Sequence, residues 1–408
     1  MFADLRHRFA TVSAAAPRVY WYVWWGTLVN RLGGFVVPLL ALYLTRERGL
    51  TLGDVGSVVA VFGAGNILAS IVGGQLADRL GRRRTMLISL FGGAASMAVL
   101  GFAQDLTTII VMVGVTSFLG ELYRPAVLAF VSDVVPPAHR TAAFGLLYWA
   151  INLGFAFAAM IGGFVAEVDF GILFLADAIT MAIYGVIIFV CVPETKPVLT
   201  AREEQADVRP WTDRVFVVFV LINMLVVLLP MQVHTALPAH MLWQGMTAGD
   251  YGLVMSVNGF LIILIQPFVI TWSERQDTQR ILILAALLYG VGMFTHGLAA
   301  GVVTHIGAVA IWTLGEILES PTRSTVVAAL APASARGRYQ GLFVMSWGVG
   351  QLVGPKIGTH VWQDIGPRAL WTGCLVLSVV AALALWVTAA SRRARMELAT
   401  DPSRTGSS

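Results

Sequence analysis

Charge is scarce in this sequence. Only 12% of its 408 residues are Asp, Glu, Lys or Arg, about half the ~25% usual in a soluble domain. So few charges cannot clothe a water-facing surface, which excludes a soluble globular protein. Cysteine is nearly absent. Cys191 and Cys374 both lie in apolar segments and share no metal-ligand spacing, so neither a disulfide framework nor a metal site is expected. Short segments of alternating polarity, the mark of an outer-membrane barrel, are missing. The phosphate-loop pattern G-x-x-x-x-G-K-[ST] is missing too, and no catalytic set clusters at one membrane interface. An enzyme is therefore not expected, and neither is a cofactor. The opening stretch MFADLRHRFATVSAAAP has no apolar core before a small-residue cleavage site, so it does not read as a signal peptide. It reads either as a short amphipathic helix on the membrane (Phe2, Leu5 and Phe9 with Arg6 and Arg8) or as a frayed tail. The tail SRRARMELATDPSRTGSS is too short for the soluble extension of a transporter-like receptor.

What the sequence has is apolar length: 57% of its residues are hydrophobic, in runs close to the ~20 residues that cross a bilayer as a helix. Twelve spans are expected, at 18–44, 54–76, 85–103, 107–132, 141–166, 170–192, 214–241, 250–272, 280–300, 303–330, 338–363 and 368–390. The fold class is an all-α polytopic membrane protein of twelve transmembrane helices in two pseudo-symmetric six-helix bundles. The divisions are 1–17 (N-terminal segment), 18–192 (first bundle), 193–213 (polar linker), 214–390 (second bundle) and 391–408 (tail).

Lys and Arg give the orientation. Arg6, Arg8, Arg18, Arg79, Arg82, Arg83, Arg84, Arg140, Lys196, Arg202, Arg209, Arg214, Arg275, Arg280, Arg336, Arg338, Arg392, Arg393, Arg395 and Arg404 lie at the termini and the even-to-odd loops. The opposite loops hold only Arg46, Arg48 and Arg368. Both termini and the linker are thus expected in the cytoplasm, in a multi-pass protein of the cell's inner membrane. The net charge of +4 is spread by topology and does not point to nucleic acid.

The chain also repeats itself. GELYRPAVLAFVSDVVPPAHRTAAFGLL from Gly120 aligns with GEILESPTRSTVVAALAPASARGRYQGLF from Gly315 after a one-residue gap. Pro125 then matches Pro321, Pro136 matches Pro332, Arg140 matches Arg336, Gly145 matches Gly341 and Gly154 matches Gly350. Two similarly oriented halves are the parallel-repeat plan of a secondary transporter.

The most charged stretch of the first half is GGQLADRLGRRRT, from Gly73 to Thr85. Its Gly74-x-Leu76-Ala77-Asp78-Arg79-x-Gly81-Arg82-Arg83-Arg84 resembles the loop 2–3 signature of the major facilitator superfamily, and the repeat extends the resemblance over the membrane domain. The physical reading stands beside it. Gly74 allows close packing and Gly81 allows the turn. Asp78 suits the positive end of a neighbouring helix, which the resemblance places at the start of the eleventh span, near Arg338 to Gly341. The arginines have Asp133, at the end of the fourth span, as a matching carboxylate. Gly74, Asp78, Arg79, Gly81, Arg82 and Asp133 are the expected conformational latch, favouring an outward-open state. The alternative is that the arginines only set topology. SERQDTQR, with Glu274 and Arg275, is the second half's remnant.

Eight charges fall inside expected spans: Arg31, Glu121, Arg124, Asp177, Glu316, Glu319, Arg323 and Lys356. Each costs about 2.5–3.5 kcal/mol at a bilayer centre on insertion scales, so they should line a cavity and pair. Glu121 with Arg124, and Glu319 with Arg323, share helix faces; Arg124 could instead serve Asp177. The proton-coupling candidates are Glu121, Arg124, Asp177, Arg31, Glu316, Glu319 and His234, the alternative being static struts. His296, His305 and His360 read as peripheral.

The antiporter branch of the superfamily often carries G-x-x-x-G-P-x-x-G-G on the fifth span. Here Gly154, Gly162 and Gly163 flank Ala158-Ala159, while Gly350, Gly354-Pro355 and Gly358 match more closely on the eleventh. NRLGGFVVPLLALYLT and ELYRPA resemble the drug:proton antiporters among bacterial multidrug exporters. The acidic E-x-x-E-R of peptide importers is replaced by Asn30-Arg31. Trp25, Asn30, Phe35, Tyr123, Tyr148, Trp149, Asn152, Gln232, Asn258, Gln266, Trp347 and Gln351 are the expected substrate-binding set, aromatics and amides suited to amphipathic cations, although core packing explains any one of them. The expectation is a monomeric secondary transporter handling a small-molecule substrate and protons in a lipid bilayer: drug efflux, or alternatively proton-coupled import of a small metabolite.

Overall fold

A computed structural model describes residues 16–136, 139–195, 209–273, 276–332 and 336–400. Most of the N-terminal segment, most of the linker, Glu274, Arg275 and the last eight residues lie outside the described residues. The described chain is helical throughout. Its helices are α1 (Arg18–Leu32), α2 (Val36–Arg46), α3 (Leu52–Leu80), α4 (Arg82–Phe102), α5 (Leu106–Glu121), α6 (Tyr123–Val134), α7 (Arg140–Val165), α8 (Phe170–Cys191), α9 (Arg214–Val227), α10 (Ala236–Trp243), α11 (Ala248–Ser273), α12 (Thr278–Leu298), α13 (Val302–Leu330), α14 (Arg336–His360), α15 (Pro367–Val387) and α16 (Ala389–Thr400). Eleven stretches among the described residues are long and apolar enough to cross a membrane. The helix α14 occupies the eleventh of the twelve expected places.

The helices start where the sequence offers a side-chain acceptor to orphan N–H groups. Thr51, Asp105, Asp169, Asp213 and Asp277 each accept from a backbone N–H in the first turn of α3, α5, α8, α9 and α12. Asp277 is also held by a two-bond contact with Arg393 of α16, at 2.9 and 3.1 Å. That guanidinium keeps the Asp277 carboxyl below the usual carboxylate range.

Three expected single spans are broken. Each break falls one to five residues ahead of a proline, whose missing N–H and ring disturb the turn before it. The first span parts at 33–35 ahead of Pro38, the fourth at Leu122 ahead of Pro125, and the seventh after Val227 ahead of Pro230. His234 therefore sits in a 3₁₀ segment, Pro230–His234, rather than on a continuous helix. Two further corrections concern loops. The charged turn after the second span shrinks to Gly81, since α3 runs to Leu80 and α4 begins at Arg82. Part of the expected tail is helical, as α16.

By contact density the chain forms two compact units, Met1–Val198 with Pro238–Leu264, and Leu199–Leu237 with Ile265–Ser408. The first unit takes in most of α11 because α7 and α11 meet backbone to backbone. A Cβ on Gly163 would stand 2.6 Å from the Ala248 carbonyl oxygen, and one on Gly252 would stand 2.9 Å from Gly163 Cα. This contact accounts for Ala159 and Gly163 of the fifth span, while Gly154 and Gly162 instead make room for Arg31 and for Phe35 and Leu39. Small side chains let the two axes approach until dispersion contacts replace those with lipid.

Candidate functional site

In the first unit, polar side chains converge where two helices are interrupted. The Arg31 guanidinium near the end of α1 donates to the Tyr123 hydroxyl at 2.6 Å and lies 3.7 Å from Glu121 Oε1. Arg124 Nε holds Glu121 Oε2 at 3.0 Å. Asn30 Nδ2 donates to the same Tyr123 hydroxyl at 3.3 Å. Asp177 of α8 is buried and within electrostatic reach of Arg31 and Glu121, and it accepts from the Val36 backbone N–H. That N–H is free because α2 restarts there, and the first N–H groups of a helix have no partner within it. Two acids and two bases thus share one site on α1, α5, α6 and α8. The Glu121–Tyr123 break lets both neighbours of Leu122 face Arg31. Arg124 pairs with Glu121 and is half exposed, side-chain accessibility 52%.

The second unit has its own cluster. Glu319 and Arg323 of α13 pair at 3.0 Å, both nearly inaccessible. Arg323 donates to Asn223 Oδ1 of α9 at 2.7 Å, and Asn223 donates to Ser346 Oγ of α14 at 2.7 Å. The guanidinium lies over the Trp347 ring, 4.9 Å from its centroid. Asn223 and Ser346 carry no sequence signal of their own, and only the packing of α9 against α13 and α14 reveals them.

The remaining expected residues are placed unevenly. Trp149 stacks on Trp24 at 6.5 Å, and Asn152 bonds the Tyr148 carbonyl at 2.9 Å. Gln232 is buried and donates to the Leu228 and Gly354 carbonyls, closing the 3₁₀ segment against α14. Trp25 and Tyr148 are exposed, Asn258 is buried, and Phe35, Gln266 and Gln351 are half-buried. Glu316 is half-buried on α13. Lys356 departs from expectation: it is exposed, and no ion pair among the described residues includes it. His296 and His305 depart the other way. Both are fully buried rather than peripheral, because α12 and α13 pack along their length and enclose the hairpin between them.

At the α3–α4 turn, Arg82 Nε donates to Asp133 Oδ2 at 3.0 Å and Arg82 Nη1 to the Ala77 carbonyl at 2.8 Å. Asp133 belongs to α6, so this pair binds helices of one unit rather than bridging two. Arg79 is exposed and Gly74 half-buried. The side chains of Asp78, Arg336 and Arg338 lie outside the described residues. Glu194, which sequence reasoning missed, caps α4. Its carboxylate accepts from the Arg83 and Arg84 backbone N–H groups at 3.0 and 3.1 Å, and the Thr195 carbonyl accepts from Arg82 N–H at 3.2 Å. Gly81 takes φ +106°, and its missing Cβ leaves room for that carboxylate. Arg83 in return donates to the Phe189 carbonyl in the last turn of α8, at 2.6 Å. Each charge sits on the helix end of opposite polarity. Glu194→Ala is expected to cost about 1 kcal/mol, the usual value of a lost cap, and to speed hydrogen exchange at Arg83 and Arg84. Unchanged exchange there would show that the carboxylate does not cap α4 in solution.

Comparison with known proteins agrees with this architecture. The family model described as Major Facilitator Superfamily matches residues 23–243 and 215–405. The chain is 25% identical over 352 residues to the uncharacterized MFS-type transporter YqjV of Bacillus subtilis, covering 83% of this chain and 85% of that one. It is 25% identical over 380 residues to the multidrug resistance protein MdtH of Escherichia coli, covering 91% and 94%. It is 22% identical over 374 residues to a Na(+), Li(+), K(+)/H(+) antiporter of Planococcus maritimus, covering 83% and 87%. Among solved structures, the nucleoside transporter NupG superposes with a TM-score of 0.80 at 13% identity, covering 91% of this chain and 99% of that one. A POT family transporter does so with 0.79 at 17%, covering 93% and 97%. With the loop 2–3 motif on the α3–α4 turn, broken apolar spans and a family match over nearly the whole length, the chain belongs to the major facilitator superfamily: it is a multi-pass membrane transporter and not an enzyme.

Proposed function

We propose that this transporter is a proton-coupled exporter of amphipathic, cationic small molecules, working as a monomer in the inner membrane with both termini in the cytoplasm. The observation that carries the reading is the cluster of Arg31, Glu121, Tyr123 and Asp177 in the first unit. Ionisable groups inside a membrane span are costly and mark ion or proton pathways. With two acids and two bases the site is near neutral, so one added proton or one cationic ligand changes its charge by the same amount. Each therefore displaces the other, which is what exchange requires. The multidrug and cation/proton antiporter names of two relatives support export over import and a reading on the drug:proton antiporter side of the superfamily. The exposed aromatics Trp25 and Tyr148 offer faces that suit organic cations. The latch role extends to Gly74, Asp78, Arg79, Gly81, Arg82 and Asp133, with Arg82–Asp133 bracing the turn from within the first unit.

The test is transport in everted vesicles. Adding a lipophilic cation to energised vesicles is expected to release protons from the lumen. Acidification instead would point to symport, and no response would remove proton coupling. Orientation is checked separately. A reporter active only outside the cytoplasm should give signal when fused after Gly49 and none after Val198, and the reverse pattern would invert the topology.

A further inference from the structure

Beyond the last span, α16 lies across the ends of α9, α12 and α15 in the second unit, and three arginines within one of its turns make the contacts. Arg392 is 1% exposed, yet no ion pair among the described residues includes it. Its partners are neutral. Nε donates to Gln279 Oε1 of α12 at 2.6 Å, Nη2 to the Leu385 carbonyl of α15 at 2.6 Å, and Nη1 to Thr388 Oγ1 between α15 and α16. The guanidinium lies over the Phe219 ring of α9, 5.7 Å from its centroid. Burial, with Arg393 beside it, pushes the Arg392 pKa down to about 10, so the group is still a cation at neutral pH. The end of α15 answers that charge. The last carbonyls of a helix carry the negative end of its dipole, and Leu385 belongs to the last turn of α15. One turn further along α16, Met396 Sδ accepts from Gln279 Nε2 at 3.7 Å. Arg392 and Met396, at i and i+4, thus form one ridge seated on Gln279, itself buried.

Arg393 and Arg395 flank that ridge and reach two carboxylates that cap helices. Arg393 holds Asp277, which accepts from the Arg280 N–H in the first turn of α12. Arg395 Nη2 lies 3.4 Å from Asp213 Oδ2, and Asp213 Oδ1 accepts from the Phe216 N–H in the first turn of α9. Asp213 Oδ2 also accepts from the Tyr339 hydroxyl of α14 at 2.9 Å. One turn of α16 is thus joined to the end of α15 and, through two cap aspartates, to the starts of α12, α9 and α14. We propose that α16 is a salt-released strap on the second unit: Arg392 is its buried pin, and Arg393 and Arg395 are clasps whose hold on the first turns of α12 and α9 weakens as ionic strength rises. Each clasp fixes the rotamer of its aspartate, and so the cap that the aspartate supplies. Exposure separates clasp from pin. Arg393 and Arg395 are exposed, and charges at the surface are screened as the Debye length falls from about 10 Å at 0.1 M salt to about 3 Å at 1 M. Arg392 escapes that screening, because it is buried among neutral acceptors. The Tyr339 bond to Asp213 is independent of Arg395, so α14 stays tied to α9 when that clasp opens. The strap needs no reading of substrate or direction. Only the side it faces, the cytoplasm, rests on the orientation proposed above.

Hydrogen exchange of the full-length protein in nanodiscs tests this without transport, so it stands or fails separately from the coupling reading. Between about 0.1 and 1 M KCl, exchange in the first turns of α9 and α12, corrected for its chemical rate, is expected to rise about two- to fivefold, the scale of an exposed ion pair. Helix α16 should stay protected throughout, and sucrose of equal osmolarity should change nothing. At low salt Arg393→Gln should loosen the start of α12 alone, and Arg395→Gln the start of α9 alone, each by the same factor. In the double variant the response to salt should be gone. Arg392→Gln withdraws the pin, so α16 should lose its protection and both first turns should loosen even at low salt. Arg392→Lys, which keeps the charge but cannot reach three acceptors at once, is the milder form should that protein not fold. A wild type indifferent to salt, a salt response that survives in the double variant, an equal response to sucrose, or either single variant loosening both helices would each overturn the assignment.

Discussion

Asp177→Asn is expected to remove proton-driven transport while leaving ligand binding in place. The substitution keeps the shape and the acceptor oxygen that meets the Val36 N–H but fixes the site in its uncharged form. In the wild type, ligand affinity for a cation should rise with pH, as the carboxylates lose protons and attract positive charge. It should fall as the pH drops and the proton competes. In Asp177→Asn this slope should flatten. Glu121→Gln, which loses the ion pairs to Arg31 and Arg124, is the companion variant. Its expected cost in folding is smaller, because Arg124 is half exposed and can turn to solvent. The measurement is counterflow, which needs no proton gradient, beside gradient-driven uptake into everted vesicles. At least one variant should retain the first and lose the second. If both transport at the wild-type rate over about pH 6–8, the range reached by raised carboxylates, the coupling centre lies elsewhere. Glu316, Glu319 and His234 are then the next candidates.

How far sequence alone reaches is clear from particular residues. The spans were legible because bilayer thickness fixes their length, and the α3–α4 turn because its glycine and charges recur at a known spacing. Helix breaks were less legible. Pro38, Pro125 and Pro230 are visible in the sequence, yet Pro321 and Pro355 sit inside continuous helices, and packing decides which prolines interrupt a helix. The charges at 31, 121 and 177 were legible as anomalies, whereas the convergence of the two acids on Arg31 depends on three helices meeting. Glu194 was not legible: its carboxylate caps a helix that begins 112 positions earlier, at Arg82. The burial of His296 and His305 was hidden for the opposite reason. Nine residues separate the two rings, but polar side chains at hairpin ends are usually exposed, and only the close packing of α12, α13 and α15 buries them.

Arg323→Met is expected to be among the most destabilising single substitutions in the second unit. It would leave Glu319, 5% accessible, without its cation. Removing one partner of a buried ion pair costs about 3–5 kcal/mol, because the remaining charge stays desolvated. At roughly 2–4 °C per kcal/mol for a body of this size, the melting temperature in detergent should fall by about 10 °C. Glu319→Gln should cost less, since Arg323 keeps Asn223 Oδ1 at 2.7 Å and the Trp347 face, and a desolvated cation over an indole gains about 2 kcal/mol. Ser346→Ala removes only the neutral bond from Asn223, and such bonds average about 0.6 kcal/mol within membranes. The decisive variant is Glu319→Leu with Arg323→Met. Replacing both charges by apolar side chains is often neutral or stabilising, so the double variant should recover most of the stability that Arg323→Met loses. If the two losses instead add, the pair is not a coupled electrostatic unit. If the double variant is stable but transport-deficient, the charges serve the transport cycle rather than the fold.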